Sequence, residues 1–243
     1  MMSCLLTLTE RNVINIYLYD KSIVCPVCKH EFTTKKVKSK SIKVVKRESD
    51  FKAEYEFDNP TFYGVDVCPN CGHARFESDF NDVNEAVKKT IQDKISSKWK
   101  SKDFCQIRSL NDAIEVHKLA LLNYNISHYK PSVIAKVCLR LSWFYRDMNS
   151  QDADKFAIHA RQTFEEAYMK ENLDENPKEE LTILYLLGEL NRREGNFKKA
   201  MEWFSLGLRS PVVKDEKFLS ESLKEQMLIA KNEFKKLKDK ENE

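Results

Sequence analysis

Cys25-Pro26-Val27-Cys28 and Cys68-Pro69-Asn70-Cys71-Gly72, two pairs separated by 39 residues, decide how this 243-residue sequence is read. A Cys-x-x-Cys turn presents two sulfurs to one point, and two such turns complete a tetrahedral set of four thiolates with zinc–sulfur bonds of about 2.3 Å. Proline after the first cysteine of each pair fixes φ, and Gly72 lets the second turn bend, with Lys29 at the matching place in the first. A redox-active pair would need no second copy. The spacing therefore predicts one structural zinc ion held by Cys25, Cys28, Cys68 and Cys71. A closed four-sulfur shell keeps no position for a substrate water, so the metal is expected to staple a module too small to hold together by burial alone. His30 and His73 follow the pairs closely; since four sulfurs saturate zinc, they are expected to face solvent or to stand behind the ligands. Cys4 has no partner at metal spacing, and Cys105 and Cys138 are expected to behave as small apolar residues.

Outward from the cysteines, the chain changes character near residue 80. Before it lie short β-branched runs (Ile42, Val44, Val45; Val65, Val67) and a turn at Asn59-Pro60. After it, apolar residues recur at helical intervals, as in Val83, Val87, Ile91, Ile95 and Trp99. The expected fold class is α+β: a β-rich Cys4 zinc-ribbon-like module over 1–80, in which 1–16 carry no clear element, then an all-α domain over 81–243. Further helices are expected at 110–125, 132–146, 152–169, 177–193, 197–208 and 217–237. The fourth of these six is sharply bounded, by Asn176 as N-cap, Pro177 at the first helical position, Glu179 closing a capping box and Gly195 as terminator.

Composition excludes several classes. The five glycines form neither a dinucleotide fingerprint nor a P-loop, and neither His-Glu-x-x-His nor Gly-x-Ser-x-Gly occurs. Mean hydropathy is -0.57, and the apolar stretch Leu5–Leu8 ends at Glu10 and Arg11, too short for a signal peptide or a spanning helix. The expectation is a cytoplasmic protein without a membrane partner. Net charge is only +3, against the stronger basic footprint of most nucleic-acid binders.

One local exception is the run Lys35, Lys36, Lys38, Lys40, Lys43, Lys46 and Arg47, seven cations in thirteen residues. It could contact nucleic acid, as zinc ribbons often do. Glu48, Asp50, Glu54, Glu56 and Asp58 follow at once, however, and the favoured expectation is that the two segments neutralise each other. The interleaved aromatics Phe51, Tyr55, Phe57, Phe62 and Tyr63 are expected to serve the module's own core rather than stack on bases.

The helical half carries an internal repeat. Leu184, Leu187, Gly188, Asn191, Gly195, Ala200, Phe204, Gly207 and Pro211 resemble a tetratricopeptide repeat, with an earlier copy in Leu141, Ser142, Tyr145, Ala160, Phe164 and Ala167. An ordinary helical bundle is the alternative. Stacked repeats present a concave face lined by the first helix of each pair. That face is expected to hold Lys136, Leu139, Trp143 and Arg146, then Thr182, Tyr185, Glu189, Arg192 and Arg193. Trp143, Arg146, Tyr185, Arg192 and Arg193 are the candidate partner-binding residues, suited to an acidic or C-terminal peptide. Charge reversal at Arg192 and Arg193 is expected to spare the fold. The last helix, with Leu219, Leu223, Met227, Ala230, Phe234 and Leu237 on one face, reads as a cap, with dimerisation through it the alternative.

The order Cys-Pro-Val-Cys, Lys-Arg-Glu-Ser-Asp-Phe ending at Phe51, Asn59-Pro60, Tyr63 and Val-Cys-Pro-Asn-Cys-Gly-His-Ala ending at Ala74, then tetratricopeptide-like helices, resembles a bacterial domain-of-unknown-function family with an N-terminal Cys4 zinc ribbon. The resemblance covers about residues 17–235 and implies a bacterial protein. His73 stands where that family commonly has tyrosine, which leaves the metal shell intact. The resulting expectation is a non-enzymatic zinc-binding scaffold for protein–protein interaction through a tetratricopeptide-like groove. The alternative is a nucleic-acid-binding or transcription-accessory protein using Lys35 to Arg47. The chain would be a monomer, or a homodimer through its last helix.

Overall fold

The computed structural model describes residues 17–241, so Cys4 and the unassigned stretch 1–16 lie outside the described residues. The fold is α+β: three two-stranded antiparallel sheets precede a run of helices. By contacts the chain forms two compact units, one comprising residues up to 47 together with 53–129, the other comprising 48–52 together with 130 onward. The division expected at residue 80 therefore falls later, and a five-residue loop belongs with the second unit.

In the first unit, β1 (Leu18–Val24) pairs with β2 (Glu31–Val37), β3 (Val44–Arg47) with β4 (Ala53–Tyr55), and β5 (Val65–Val67) with β6 (Ala74–Phe76). Each cysteine pair sits in the turn of one hairpin, β1–β2 or β5–β6. Helix α1 (Glu85–Lys94) begins where the Asn84 side chain accepts the Val87 N–H. It stays in this unit because Ile91 and Ile95 are buried against Cys25, Val27, Phe32, Cys68, Cys71, Phe80 and Cys105 in one core cluster. The helical stripe expected to run on to Trp99 ends earlier: residues 96–98 form a 3-10 turn, with Ser96 Oγ donating to the Cys71 carbonyl. Helix α2 (Leu110–Ile126), opened by a Ser109–Asp112 capping box, completes the unit; its Tyr124 hydroxyl accepts the Phe76 N–H and donates to Asp79.

The second unit contains α3 (Pro131–Asp147), α4 (Asp152–Lys170), α5 (Pro177–Arg193), α6 (Phe197–Leu208) and α7 (Lys217–Glu241). Consecutive helices pack on one another, as short connections between antiparallel neighbours require. Helix α5 starts at Pro177 under the Asn176 cap, and Gly195, at φ +80°, follows its end. Gly188 lies against Phe204: a Cβ there would stand 2.3 Å from a ring carbon, so only a hydrogen lets α5 and α6 approach this closely.

Candidate metal centre and the α3–α5 face

The two cysteine turns are built alike. Cys25 N–H donates to the His30 carbonyl and Cys68 N–H to the His73 carbonyl, both at 2.9 Å. Lys29 N–H donates to Cys25 O at 2.9 Å and Gly72 N–H to Cys68 O at 3.0 Å. Both turns need a left-handed residue at the same place, Lys29 at φ +62° and Gly72 at φ +73°. A side chain at the second place would also strike the Trp99 indole, 2.7 Å from an added Cβ.

The turns converge all four sulfurs within 4.8 Å of one another. Cys25 Sγ lies 3.6 Å from Cys71 Sγ, and Cys28 Sγ 3.6 Å from Cys68 Sγ. A tetrahedral ion with metal–sulfur bonds of about 2.3 Å holds its sulfurs about 3.8 Å apart, so two of the pairs already stand near that spacing and the set is compact enough to hold one ion. No disulfide joins the described cysteines. Three of the sulfur-bearing residues are buried and Cys28 is half-buried, with Asn70 Nδ2 donating to its sulfur at 3.5 Å. Hydrogen bonding from Cys25 and Cys71 holds the Cys68 thiol far below its ordinary value, at about 2, whereas sharing with Cys68 pushes Cys25 up to about 12. A bound cation would favour the deprotonated form of all four sulfurs.

His73 does not face solvent. It is buried, its ring 4.6 Å from that of Phe80, and Nε2 donates to the Phe80 carbonyl at 2.9 Å. Burial drops its pKa to about 4, so the ring stays neutral and structural. Cys105 and Cys138 are buried, and burial pushes both thiols up to about 12, as their expected role as small apolar residues requires.

The basic run is divided among carboxylates. Lys35 pairs with Asp20 at 2.8 Å, Lys36 with Asp66 at 2.8 Å and Glu77 at 2.9 Å, Lys43 with Glu56 at 3.3 Å and Lys46 with Glu54 at 3.8 Å. Lys36 is buried and also donates to the Tyr63 carbonyl. Lys38 and Arg47 likewise have partners, and Lys40 lies in a 3-10 turn. The neutralisation expected from β3–β4 pairing holds for Glu54 and Glu56. It fails for Glu48 and Asp50, which serve the second unit.

In that unit the expected partner-binding residues meet this chain's own segment Glu48-Ser49-Asp50-Phe51-Lys52. Arg146 reaches Glu48 at 2.8 Å and Asp50 at 2.5 Å. Trp143 Nε1 donates to Asp50 at 3.1 Å. Arg193 contacts Glu48 at 3.3 Å and Asp50 at 3.4 Å. The Tyr185 hydroxyl donates to the Ser49 carbonyl at 2.6 Å, and its ring stacks on Phe51 with centroids 4.8 Å apart and planes 15° from parallel. Lys52 pairs with Asp147. Phe51, expected in the module's own core, is thus spent on Tyr185. Arg192 stands beside the contact and pairs with Glu189 and, from α7, Glu233.

The organising residue is Glu189, fully buried on α5. It accepts from Ser49 Oγ at 2.6 Å, from Arg192 at 2.9 Å and from Arg193 at 2.7 Å. Burial raises its carboxyl, but the arginines and Ser49 outweigh burial and hold it below the ordinary value. Reversing Arg192 and Arg193 would strip a buried carboxylate of its partners, so these two are not the neutral surface positions the sequence suggested. The sequence pattern placed Glu189 on this face and gave no sign of its role; Glu48 to Lys52 were visible only as part of the Lys-Arg-Glu-Ser-Asp-Phe string.

Four free thiols gathered at two hairpin turns, followed in the chain by a run of helices, define an α+β protein with a cysteine cluster able to hold a metal ion. More particularly, the chain belongs to the family described as "Uncharacterized protein conserved in bacteria (DUF2225)", whose profile matches residues 18–230. It is similar to a Borreliella burgdorferi protein described as uncharacterized, with 28% identity over 157 residues, 57% of this chain. The match spans 56% of that relative's length. No solved structure matches. No described helix is long and apolar enough to cross a membrane.

Proposed function

We propose that this chain is a non-enzymatic scaffold, held in its first unit by one structural zinc on Cys25, Cys28, Cys68 and Cys71, that binds a protein segment on the α3–α5 face of a tetratricopeptide-like second unit. The observation that supports this reading most is the seating of Glu48–Lys52 on Trp143, Arg146, Tyr185 and Arg193. A surface that orders a peptide in cis through paired arginines and an aromatic stack has the chemistry of a peptide receptor. Zinc fits the donor set because four thiolates in a tetrahedral cage suit a soft-tolerant ion, and four ligands leave no vacancy for a reacting water. The engagement of Lys35, Lys36, Lys43 and Lys46 by carboxylates favours this reading over nucleic-acid binding.

Two measurements test the proposal. Elemental analysis of purified protein should find near-stoichiometric zinc, lost in the double variant Cys25→Ser/Cys28→Ser. Proteins co-purified from bacterial extract should fall away with Trp143→Ala, while nucleic acid should not bind even at 50 mM salt, where phosphate contacts are strongest. Equal recovery with and without Trp143 would remove the α3–α5 face from the reading.

A further inference from the structure

Glu48–Lys52 bears its features at the wrong cost for a simple turn. Phe51 sits at φ +72°, a region that a bulky residue enters only when its surroundings over-determine it. Glycine would close the same turn without strain, so the turn has been built around the ring that stacks on Tyr185. The carboxylates are equally specific, since Glu48 and Asp50, two residues apart, each touch both Arg146 and Arg193. The face therefore reads a pattern: acidic, a hydroxyl residue that donates to Glu189, acidic, aromatic.

The hairpin tip does not exhaust the site. Beside Asp50 opens a cavity of 520 Å³, lined by Arg146 and Arg193, by the apolar Ala157, Ile158 and Leu190, and by the carboxylates Asp154 and Glu194. Arg146 Nε is buried and has no hydrogen-bond partner among the described residues. A tight turn cannot extend into this space, whereas a linear segment can place an apolar side chain there and offer Nε an acceptor.

We propose that Glu48–Lys52 is a resident competitor on the face, and that the partner is another protein's linear segment carrying the acidic–hydroxyl–acidic–aromatic pattern with an apolar residue beside it. This deepens the scaffold reading and rests on it. The partner displaces the resident segment because it fills the cavity the turn leaves open; until then, the apparent affinity of the face is reduced by the fraction of molecules in which the segment is docked.

The test uses the full chain and a fluorescein-labelled peptide containing Glu-Ser-Asp-Phe followed by leucine. With the segment docked in at least about nine molecules of ten, Glu48→Lys/Asp50→Lys should bind the peptide at least about tenfold more tightly than wild type. Adding Arg146→Ala and Trp143→Ala should abolish that gain. Glu48→Gln/Asp50→Asn, milder in charge, should show a smaller gain in the same direction, and metal content and circular dichroism identify variants that have folded. Equal affinity for wild type and both folded segment variants, or no binding by any of them, overturns the proposal. So does a wild-type dimer that becomes monomeric in Glu48→Lys/Asp50→Lys, because the occupant would then be a second copy's segment. If the peptide behaves as expected but co-purified proteins are indifferent to Trp143→Ala, the resident-competitor assignment stands and the scaffold reading fails.

Discussion

Glu189 shows how much a single buried charge can dictate. Enclosed on α5 and bonded to Ser49, Arg192 and Arg193, it turns two arginines that looked like surface positions into structural partners. Arg192→Glu with Arg193→Glu should lower stability by about 3–5 kcal/mol, the usual cost of stranding a buried charge, read as a drop in urea midpoint at unchanged slope. Acid should act on the same network. The carboxyls of Glu189 and Glu48 are each pushed up by burial and pulled further down by arginines, to a net position below the ordinary 4.5. Between those folded values and 4.5 the unfolded chain binds more protons than the folded one, so stability there rises with pH. Their contribution is complete above 4.5 and is lost as pH falls through the folded values; the amide protection of residues 48–52, corrected for the intrinsic pH dependence of exchange, should therefore fall on acidification below 4.5 before the helices melt. Nothing in a one-dimensional pattern distinguishes Glu189 from any other acid on a helical face, because its burial is created by a loop some 140 residues upstream.

At the scale of elements, the periodicity of the helices after residue 110 and the caps of α5 were legible. Helix α5 runs Pro177–Arg193 and α6 Phe197–Leu208, the same limits that Asn176, Pro177 and Gly195 announce. Small residues were legible too. Gly188→Ala gains roughly 1 kcal/mol in intrinsic helix preference, yet its Cβ would meet Phe204 at 2.3 Å. The overpacking should prevail and cost about 1–3 kcal/mol net, measured by chemical denaturation. Strands β1 and β2 were not legible. In β2 the inward positions are Phe32, Thr34 and Lys36, and a lysine aimed at a buried Asp66 breaks the alternation of apolar and polar residues by which a strand is recognised. Helix α1 was found, but its allegiance to the cysteine core was not, since a hydrophobic stripe does not say which surface it covers.

For the molecule as a whole, the cysteine spacing specified the metal-competent cluster because two short local turns supply every ligand, and local geometry is what sequence encodes most directly. The assignment of 48–52 to the second unit is a long-range choice, made by charge complementarity between segments far apart in the chain. Unit membership also alters what metal loss should do. Because α1 shares one core with Cys25, Cys68 and Cys71, Cys25→Ser/Cys28→Ser should remove α1 along with the sheets, while α3–α7 retain most of the far-ultraviolet helical signal. A variant that lost no helix at all would contradict the shared core.

The three tryptophans divide the labour of reporting on these events. Trp99 donates from Nε1 to the Pro69 carbonyl inside the second cysteine turn, Trp143 donates to Asp50, and Trp203 meets Tyr168 edge-on. With Trp143 and Trp203 replaced by phenylalanine, the emission of Trp99 becomes an optical gauge of the cysteine turn as chelator is added. With Trp99 and Trp203 replaced instead, the indole of Trp143 registers the departure of the Asp50 carboxylate. The chain thus carries its own two-channel fluorometer, one chromophore at each candidate site, and needs no attached dye to tell metal loss from release of the docked segment.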